Sequence, residues 1–199
     1  MSDHPHSGTR EEILRVALRL FAHRGYLDTS MDEIAKEVGI SKPAIYHYFG
    51  SKEDLFRTLL EAMRRRHEEE IEQLRSRHLS LPDLLEEMTR QTIAMMKENP
   101  DWLRLMIRIL SNPTELRDFD GVAEIDCAVH NAEARLINEA ACDMRLRPGL
   151  TMEDFVYFYH GVIFSFIARC LLACAPVDEE NMPARLRDLV LFGAFEKRP

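Results

Sequence analysis

The 199-residue chain has little of what disulfide-rich, fibrous or membrane-spanning proteins need. Its four cysteines form no Cys-x-x-Cys pair, so neither a ribbon-type zinc site nor a disulfide framework is indicated. Eight glycines, nine prolines and no internal repeat exclude a collagen-like or low-complexity chain. No run approaches the roughly 20 apolar residues of a membrane span, and residues 1–8 lack the apolar core of a secretory signal. We therefore expect a cytoplasmic protein with reduced thiols and no membrane contact.

An excess of positive charge is missing too. The chain has 26 Lys and Arg against 34 Asp and Glu, which gives a net charge of −8. Residues 1–60 hold eight basic and nine acidic side chains, and the remainder holds 18 and 25. Neither part has the basic surplus that is typical of nonspecific nucleic-acid binding. Charge alone therefore does not indicate a nucleic-acid partner.

The signatures of common enzymes are also absent from the sequence. It contains no glycine-rich phosphate loop and no nucleophile elbow. Asp126, Cys127 and His130 have a helical spacing that would suit a soft metal with one further ligand, but a lone trio of this kind is usually coincidental. We predict no catalytic residue, no metal and no cofactor. An enzyme remains an alternative, which turnover of a substrate by the purified protein would support.

Helical periodicity dominates the sequence. No alternation of Val, Ile and Thr is bounded by turn residues, so we predict an all-α protein. The first four helices are expected to start at the capping residues Thr9, Ser30, Ser41 and Ser51. The first three should end at Gly25, Gly39 and Gly50, and the fourth at about residue 78. Further helices are predicted at 82–98, 101–110, 120–146, 152–174 and 179–197.

Two short helices joined at Gly39 form the most informative motif. With a third helix packed across them, they predict a helix-turn-helix over about residues 30–49. The second helix of such a pair is short, is braced by apolar residues and presents its N-terminal half to the major groove of DNA. Ile45 and Phe49 would brace it. The residues expected to face outward are Lys42, Pro43, Ala44, Tyr46 and His47.

The run Ser30-Met-Asp-Glu-Ile-Ala-Lys-Glu-Val-Gly-Ile-Ser-Lys-Pro-Ala-Ile-Tyr-His-Tyr-Phe-Gly-Ser-Lys-Glu-Asp-Leu-Phe56 resembles the N-terminal domain of the TetR family of bacterial transcriptional regulators. The resemblance covers roughly residues 7–67. It implies a DNA-binding domain at 9–67 and a larger helical ligand-binding and dimerisation domain at 68–199, and we expect residues 1–8 to be a disordered leader. It also implies a homodimer that binds a palindromic operator on double-stranded DNA. We expect a repressor that a small, apolar or aromatic effector releases.

The resemblance also assigns DNA contacts by position. The matching positions are Ser30, Lys42, Pro43, Ala44, Tyr46, His47, Tyr48 and Lys52. The family often has a hydroxyl residue where this chain has Ala44, whose methyl group could instead meet a thymine methyl. Lys42 and His47 are the plausible hydrogen-bonding partners of base edges, so DNA shape should carry much of the specificity. An architectural or cell-division factor on the same scaffold is the alternative, and it would bind many dispersed genomic sites.

The C-terminal part of the sequence has two interpretations, a ligand pocket or an ordinary hydrophobic core. Six of the 16 aromatic residues fall within residues 155–166, on a helix that is apolar nearly all round. The predicted ligand contacts are Met95, Met96, Trp102, Met106, His130, Phe155, Phe158 and Tyr159, although each aromatic side chain could equally belong to the core. By resemblance, the last two helices form the dimer interface. The residues expected there are Gly161, Ser165, Ala168, Leu186, Leu189 and Val190.

Three further features have structural explanations that we favour. Cys170 and Cys174 are one helical turn apart and are expected to be buried small hydrophobes rather than a redox switch. His160 is expected to be a packed or hydrogen-bonded core histidine rather than a ligand contact. The run Arg64-Arg-Arg-His-Glu-Glu-Glu70 places a Glu four residues after each Arg, which is typical of a solvated helix face.

Overall fold

The computed structural model describes residues 5–111, 122–142, 144–173 and 177–194. Among these residues there are nine α-helices and no β-strand, so the all-α prediction is confirmed. The helices are α1 (Pro5–Arg24), α2 (Met31–Val38), α3 (Lys42–Tyr48), α4 (Lys52–Ser76), α5 (Leu81–Glu98), α6 (Pro100–Ser111), α7 (Val122–Ala140), α8 (Met152–Ala173) and α9 (Met182–Ala194).

The start and end of α2 follow from its local sequence. The Ser30 hydroxyl accepts a hydrogen bond from the Glu33 amide at 3.2 Å, and the Glu33 carboxylate accepts one from the Ser30 amide at 2.9 Å. This reciprocal pair satisfies two amides that would otherwise be orphaned at the helix start. Gly39 ends the helix with φ of 80°, a left-handed conformation that glycine adopts without steric cost. The predicted bounds of α2 are confirmed.

The next two helices begin at the predicted caps as well. The Ser41 hydroxyl accepts a hydrogen bond from the Ala44 amide at 3.3 Å, with Pro43 in the first turn of α3. The Ser51 hydroxyl accepts one from the Asp54 amide at 3.0 Å at the start of α4. Helix α3 is therefore fixed at its N-terminal end by its own sequence.

Several other bounds differ from the prediction. Helix α1 begins at Pro5 rather than after Thr9, so residues 5–8, expected in the leader, are helical. Helix α7 ends at Ala140 rather than 146, where a turn closes with a 2.8 Å hydrogen bond from the Met144 amide to the Ala141 carbonyl. Helix α9 begins at Met182 rather than 179, because the Asp178 carboxylate accepts from the Asn181 amide and forms a turn first.

The chain forms two compact units. The first extends to Arg65 and also includes Asp101–Ile125, so α6 belongs to it together with α1 to α3 and the beginning of α4. Its core is packed around Phe21 and Phe56, whose rings meet edge to face at 5.2 Å. Leu105 of α6 is part of this core. The predicted domains, 9–67 and 68–199, follow chain order, whereas this compact unit combines two separate stretches of the chain.

The second unit contains the end of α4 together with α5, α7, α8 and α9. Helix α9 packs against both α5 and α8. Leu85, Ile137, Val156 and Val190, from four different helices, are fully buried. The stretch Met152–Leu171 reaches a mean hydropathy of 1.2 and is 28% buried. By length and composition alone this stretch could cross a membrane, but a helix within a bundle meets the same criteria, and Glu153, Asp154 and Arg169 interrupt its apolar run.

Candidate functional site

Helix α3 has one buried and one exposed side. Ile45 is fully buried and Phe49 is 4% exposed, so both brace the helix against the core of the first unit. Tyr46 on the opposite side is 42% exposed. Lys42, Pro43 and His47 are also exposed, whereas Ala44 and Tyr48 are half-buried. The short helix therefore presents its N-terminal half outward, which is the geometry that groove recognition requires.

Lys42 holds a charge at the beginning of α3. Its Nζ donates a hydrogen bond to Asp32 Oδ2 at 2.8 Å, and the carboxylate raises the pKa of Lys42. Both side chains are more than half exposed, at 62% and 57%. An ion pair this exposed contributes little to stability. A phosphate could therefore replace Asp32 as the partner of Lys42 at small cost.

The Ser30 hydroxyl, at a predicted DNA-contact position, already has hydrogen-bond partners within its own chain. It accepts from the Glu33 amide and donates to Glu33 Oε2 at 2.8 Å. The hydroxyl is thus engaged within its own chain, and what the start of α2 offers to an anion is its backbone amides.

The Lys52 side chain contacts backbone carbonyls and an aromatic ring of its own chain. Its Nζ donates to the backbone carbonyls of Tyr26 at 2.8 Å and Thr29 at 3.0 Å, and lies 4.3 Å from the centre of the Tyr26 ring. Partial burial lowers the pKa of Lys52, and the nearby charge of Asp28 acts in the opposite direction. The ammonium group therefore fixes the loop that leads into Ser30 and α2.

The predicted ligand contacts do not fall in one place. Trp102 and Met106 belong to the first unit, where Trp102 packs against the core and Met106 is 38% exposed. The remaining six lie in the second unit. Of these, Phe155 and Tyr159 are buried, Phe158 is 45% exposed, and Met95, Met96 and His130 are half-buried. A cavity of about 610 Å³ at the ends of α4 and α7 shares no residue with the predicted set.

The predicted interface residues divide in a similar way. Leu186 and Val190 of α9 are buried within the second unit and so belong to its core. Leu189 is 58% exposed, and Gly161 and Ser165 of α8 are exposed. Ala168 is half-buried. Large apolar side chains beside them are also exposed: Tyr157 at 58%, Phe158 at 45% and Phe192 at 60%.

The sequence did not indicate a polar cluster that the fold assembles in the second unit. Glu133 of α7 is 12% exposed, and its Oε1 lies 3.0 Å from Nε2 of His67 on α4. His160 of α8 pairs through Nε2 with Glu133 Oε2, and its Nδ1 lies 3.3 Å from His130 Nδ1. These residues lie on three helices. His67 lies 66 positions before Glu133 in the chain and His160 lies 27 positions after it, so no local spacing could reveal their contacts. His160 is thus a member of a polar network.

The other minor features fall in different places. Among the described side chains no three His, Cys, Asp or Glu residues are arranged to bind a metal, and the side chains of Asp126 and Cys127 lie outside that part. Cys170 is a half-buried free thiol, whose pKa burial raises, and Cys174 lies outside the described residues. In the basic run of α4, Arg66 pairs with Glu70 at 3.0 Å, as the four-residue spacing predicted.

Comparisons with known proteins agree with this geometry. The family model for bacterial regulatory proteins of the tetR family matches residues 13–59. The transcriptional regulator AcrR of Shigella flexneri is 51% identical over 53 residues, which are 27% of this chain and 25% of that protein. The negative transcriptional regulator IcaR of the biofilm operon of Staphylococcus epidermidis is 35% identical over 52 residues, 26% and 28% of the two chains. Each match spans about a quarter of the curated relative.

A solved structure extends the likeness to the whole fold. FadR of Bacillus subtilis, solved in complex with stearoyl-CoA, superposes with a TM-score of 0.77 over 92% of this chain and 98% of that chain, at 19% identity. The N-terminal helices of this chain therefore form a helix-turn-helix domain of the kind found in transcriptional regulators. That domain belongs to the TetR family.

Proposed function

We propose that this chain is a homodimeric, sequence-specific DNA-binding regulator that represses transcription from a palindromic operator. The observation that carries the proposal is the exposed N-terminal half of α3, braced from behind by the buried Ile45 and Phe49. Tyr46, His47 and Lys42 supply a ring that can stack and groups that can hydrogen-bond at the groove. The match of residues 13–59 to the tetR family supports it, as does the role of IcaR as a negative transcriptional regulator.

Few cations take part in this interface. Lys42 is exposed, whereas the ammonium of Lys52 is bonded to carbonyls of its own chain. We therefore assign Lys52 to positioning the loop before α2 rather than to a phosphate. Affinity for DNA should fall with salt by a modest slope, near −0.9 for each phosphate neutralised. Shape and deformability of the operator then contribute to specificity.

The exposed apolar face of α8 and α9 supports a dimer. We define the α8–α9 face as Tyr157, Phe158, Gly161, Ser165, Leu189 and Phe192. A Cβ atom added at Gly161 would meet nothing within 4 Å in its own chain, so a partner helix could approach closely there. Such a dimer would place two copies of α3 in successive major grooves about 34–36 Å apart.

The effector we propose is a small molecule with an apolar or aromatic part, bound in the second unit. The buried rings of Phe155 and Tyr159 and the half-buried Met95 and Met96 provide apolar surface there. That FadR was solved with stearoyl-CoA supports a small-molecule effector. Its mechanism would be a shift between two states of the dimer, one with the reading helices at operator spacing. Moving such an equilibrium from mostly one state to mostly the other needs about 5.5 kcal/mol of differential affinity.

A matched pair of lysine variants tests the DNA interface. Operator DNA would be selected from a random pool and its affinity measured by fluorescence anisotropy at several salt concentrations. Lys42→Ala should weaken binding by about 1–3 kcal/mol and, if Lys42 contacts a phosphate, lower the salt slope by about one. Lys36→Ala, on the exposed side of α2, is the control and should change neither quantity. Equal effects of the two variants, or none of Lys42→Ala, would place the DNA interface elsewhere.

The sign of regulation needs a separate measurement. A reporter gene behind the selected operator should be silenced by the protein in cells and restored when α3 carries Tyr46→Ala. Increased expression with the intact protein would make it an activator instead.

A further inference from the structure

We propose that His67, Glu133, His160 and His130 form a pH-sensitive latch that joins α4, α7 and α8 and loosens as His67 loses its proton. This histidine latch lies within the second unit. Because α4 also begins in the N-terminal unit, a loosened latch would make DNA affinity depend on pH if the proposed function is correct.

Three negative charges act on His67. Glu133 lies opposite it on α7, and Glu68 and Glu70 are its neighbours along α4. Burial disfavours the charged imidazole, but the contact with Glu133 and the three negative charges outweigh burial and raise the pKa of His67. The protonated form of His67 is therefore favoured by the folded chain.

Glu133 stays ionised while the His67 imidazole gains or loses its proton. Burial works to raise the pKa of the Glu133 carboxyl group, but the contacts with His160 and His67 and their charges lower it to about 2. Tyr159, a further titratable group near Glu133, is buried, and its pKa is raised by burial and by the carboxylate, so it stays neutral. From α5 the neutral Thr89 hydroxyl bonds with Tyr159. The change in protonation of the latch therefore falls on His67.

His130 and His160 extend the latch toward the surface. Their Nδ1 atoms lie 3.3 Å apart, so a single proton can lie between them, donated by one ring to the other. Two charged rings would point N–H groups at each other and break the contact. The His130 ring also stacks on Tyr157 of the α8–α9 face at 4.7 Å.

The sign of the pH dependence follows from the two shifts. A raised pKa means that His67 contributes its full stabilisation below the unfolded value of 6.5 and loses it as the pH rises through the folded value. The lowered pKa of Glu133 contributes above 4.5 and is lost as the pH falls toward about 2. The second unit should be most stable between the unfolded pKa values of 4.5 and 6.5. The latch should open as the pH rises above the folded pKa of His67.

An NMR titration of the 199-residue chain measures the pKa of His67 and tests the latch directly. In the unaltered protein His67 should titrate above 6.5. In Glu133→Gln it should titrate below 6.5, because burial remains while the opposing charge is lost. Glu139→Gln is the matched control: Glu139 lies on the same helix, is 55% exposed and pairs with Arg75. An ordinary pKa of His67 in the unaltered chain, or one that Glu133→Gln does not lower, would overturn the proposal.

Hydrogen exchange of the backbone amides of residues 66–76 tests whether the latch holds α4. Protection factors should fall between pH 6 and pH 8.5, by up to about tenfold for each unit by which the folded pKa of His67 exceeds 6.5. Glu133→Gln should remove this pH dependence, and Glu139→Gln should keep it. If Glu133→Gln does not fold, His160→Gln serves instead: it should keep the raised pKa of His67, because Glu133 still faces that ring. Protection that is independent of pH in the unaltered chain contradicts the latch and leaves the DNA-binding proposal intact.

Discussion

Both units leave large apolar side chains exposed, but the second unit groups them on two helices that pack together. In the first unit Phe21 and Phe56 are fully buried, and Leu27 in the loop before α2 and Leu110 on α6 are exposed. In the second, Tyr157, Leu189 and Phe192 on α8 and α9 are each more than half exposed. The grouped side chains of the second unit form the larger apolar surface that a partner could cover.

The two units also treat their polar groups differently. In the first, serines cap the short helices within a single turn, as Ser30 does at the start of α2. In the second, Glu133 gathers histidines from distant parts of the chain. The caps of the first unit can therefore be predicted from the sequence, whereas the cluster around Glu133 cannot.

The largest expected effect tests the apolar face of the second unit. Leu189→Glu places a charge in the proposed α8–α9 interface, where the twofold axis would duplicate it. Dimer affinity should fall by about 2 kcal/mol or more, roughly 30-fold in Kd, as measured by sedimentation equilibrium.

The matched control is Leu150→Glu, at another exposed leucine of the same unit, 41% exposed before α8. It should leave the dimer unchanged. A second variant, Gly161→Ala, adds a Cβ atom that meets nothing within 4 Å in its own chain, so a loss of dimer from it would arise at the partner. Dissociation by Leu150→Glu but not by Leu189→Glu would move the interface.

An intermediate effect is expected from Lys52→Met in the first unit. The variant keeps the apolar stem and removes the hydrogen bonds to the carbonyls of Tyr26 and Thr29. Hydrogen bonds to a charged group contribute about 1.5–3 kcal/mol, and partial exposure favours the lower end for the loss in free energy of unfolding. Urea denaturation followed by circular dichroism measures it. Lys36→Met on the surface of α2 should stay within about 0.5 kcal/mol. Unchanged stability with weakened DNA binding would return Lys52 to the phosphate contacts.

The smallest expected effect tests how far local capping stabilises the first unit. Ser30→Ala removes the reciprocal pair with Glu33 and should lower the free energy of unfolding by about 1 kcal/mol. Ser76→Ala at the exposed end of α4, whose hydroxyl donates to the Gln73 carbonyl, should change it by less than about 0.5 kcal/mol. Urea denaturation measures both variants. Similar losses in the free energy of unfolding would mean that the Ser30 cap stabilises the unit no more than an exposed hydroxyl does.

Prediction from sequence succeeded where neighbours in the chain decide the structure. The caps at Ser30, Ser41 and Ser51 and the left-handed Gly39 act within three or four residues, so α2 and α3 could be placed closely. The same run supported the TetR-type interpretation. Predictions were weaker at α1, which begins at Pro5, and at the ends of α7 and α9, where local turns compete with helix.

By itself the sequence determined the helical class, the helix-turn-helix and the residues on the outer side of α3, because periodicity and capping are local properties. Tertiary structure decided that α6 joins the N-terminal unit, that Leu186 and Val190 lie in the core while Leu189 is exposed, and that Lys52 is bonded to backbone carbonyls. It also brought His67, Glu133 and His160 together. Each of these features depends on which helices pack against each other. The residues involved are far apart in the chain, so the sequence has no periodic spacing that predicts their contact.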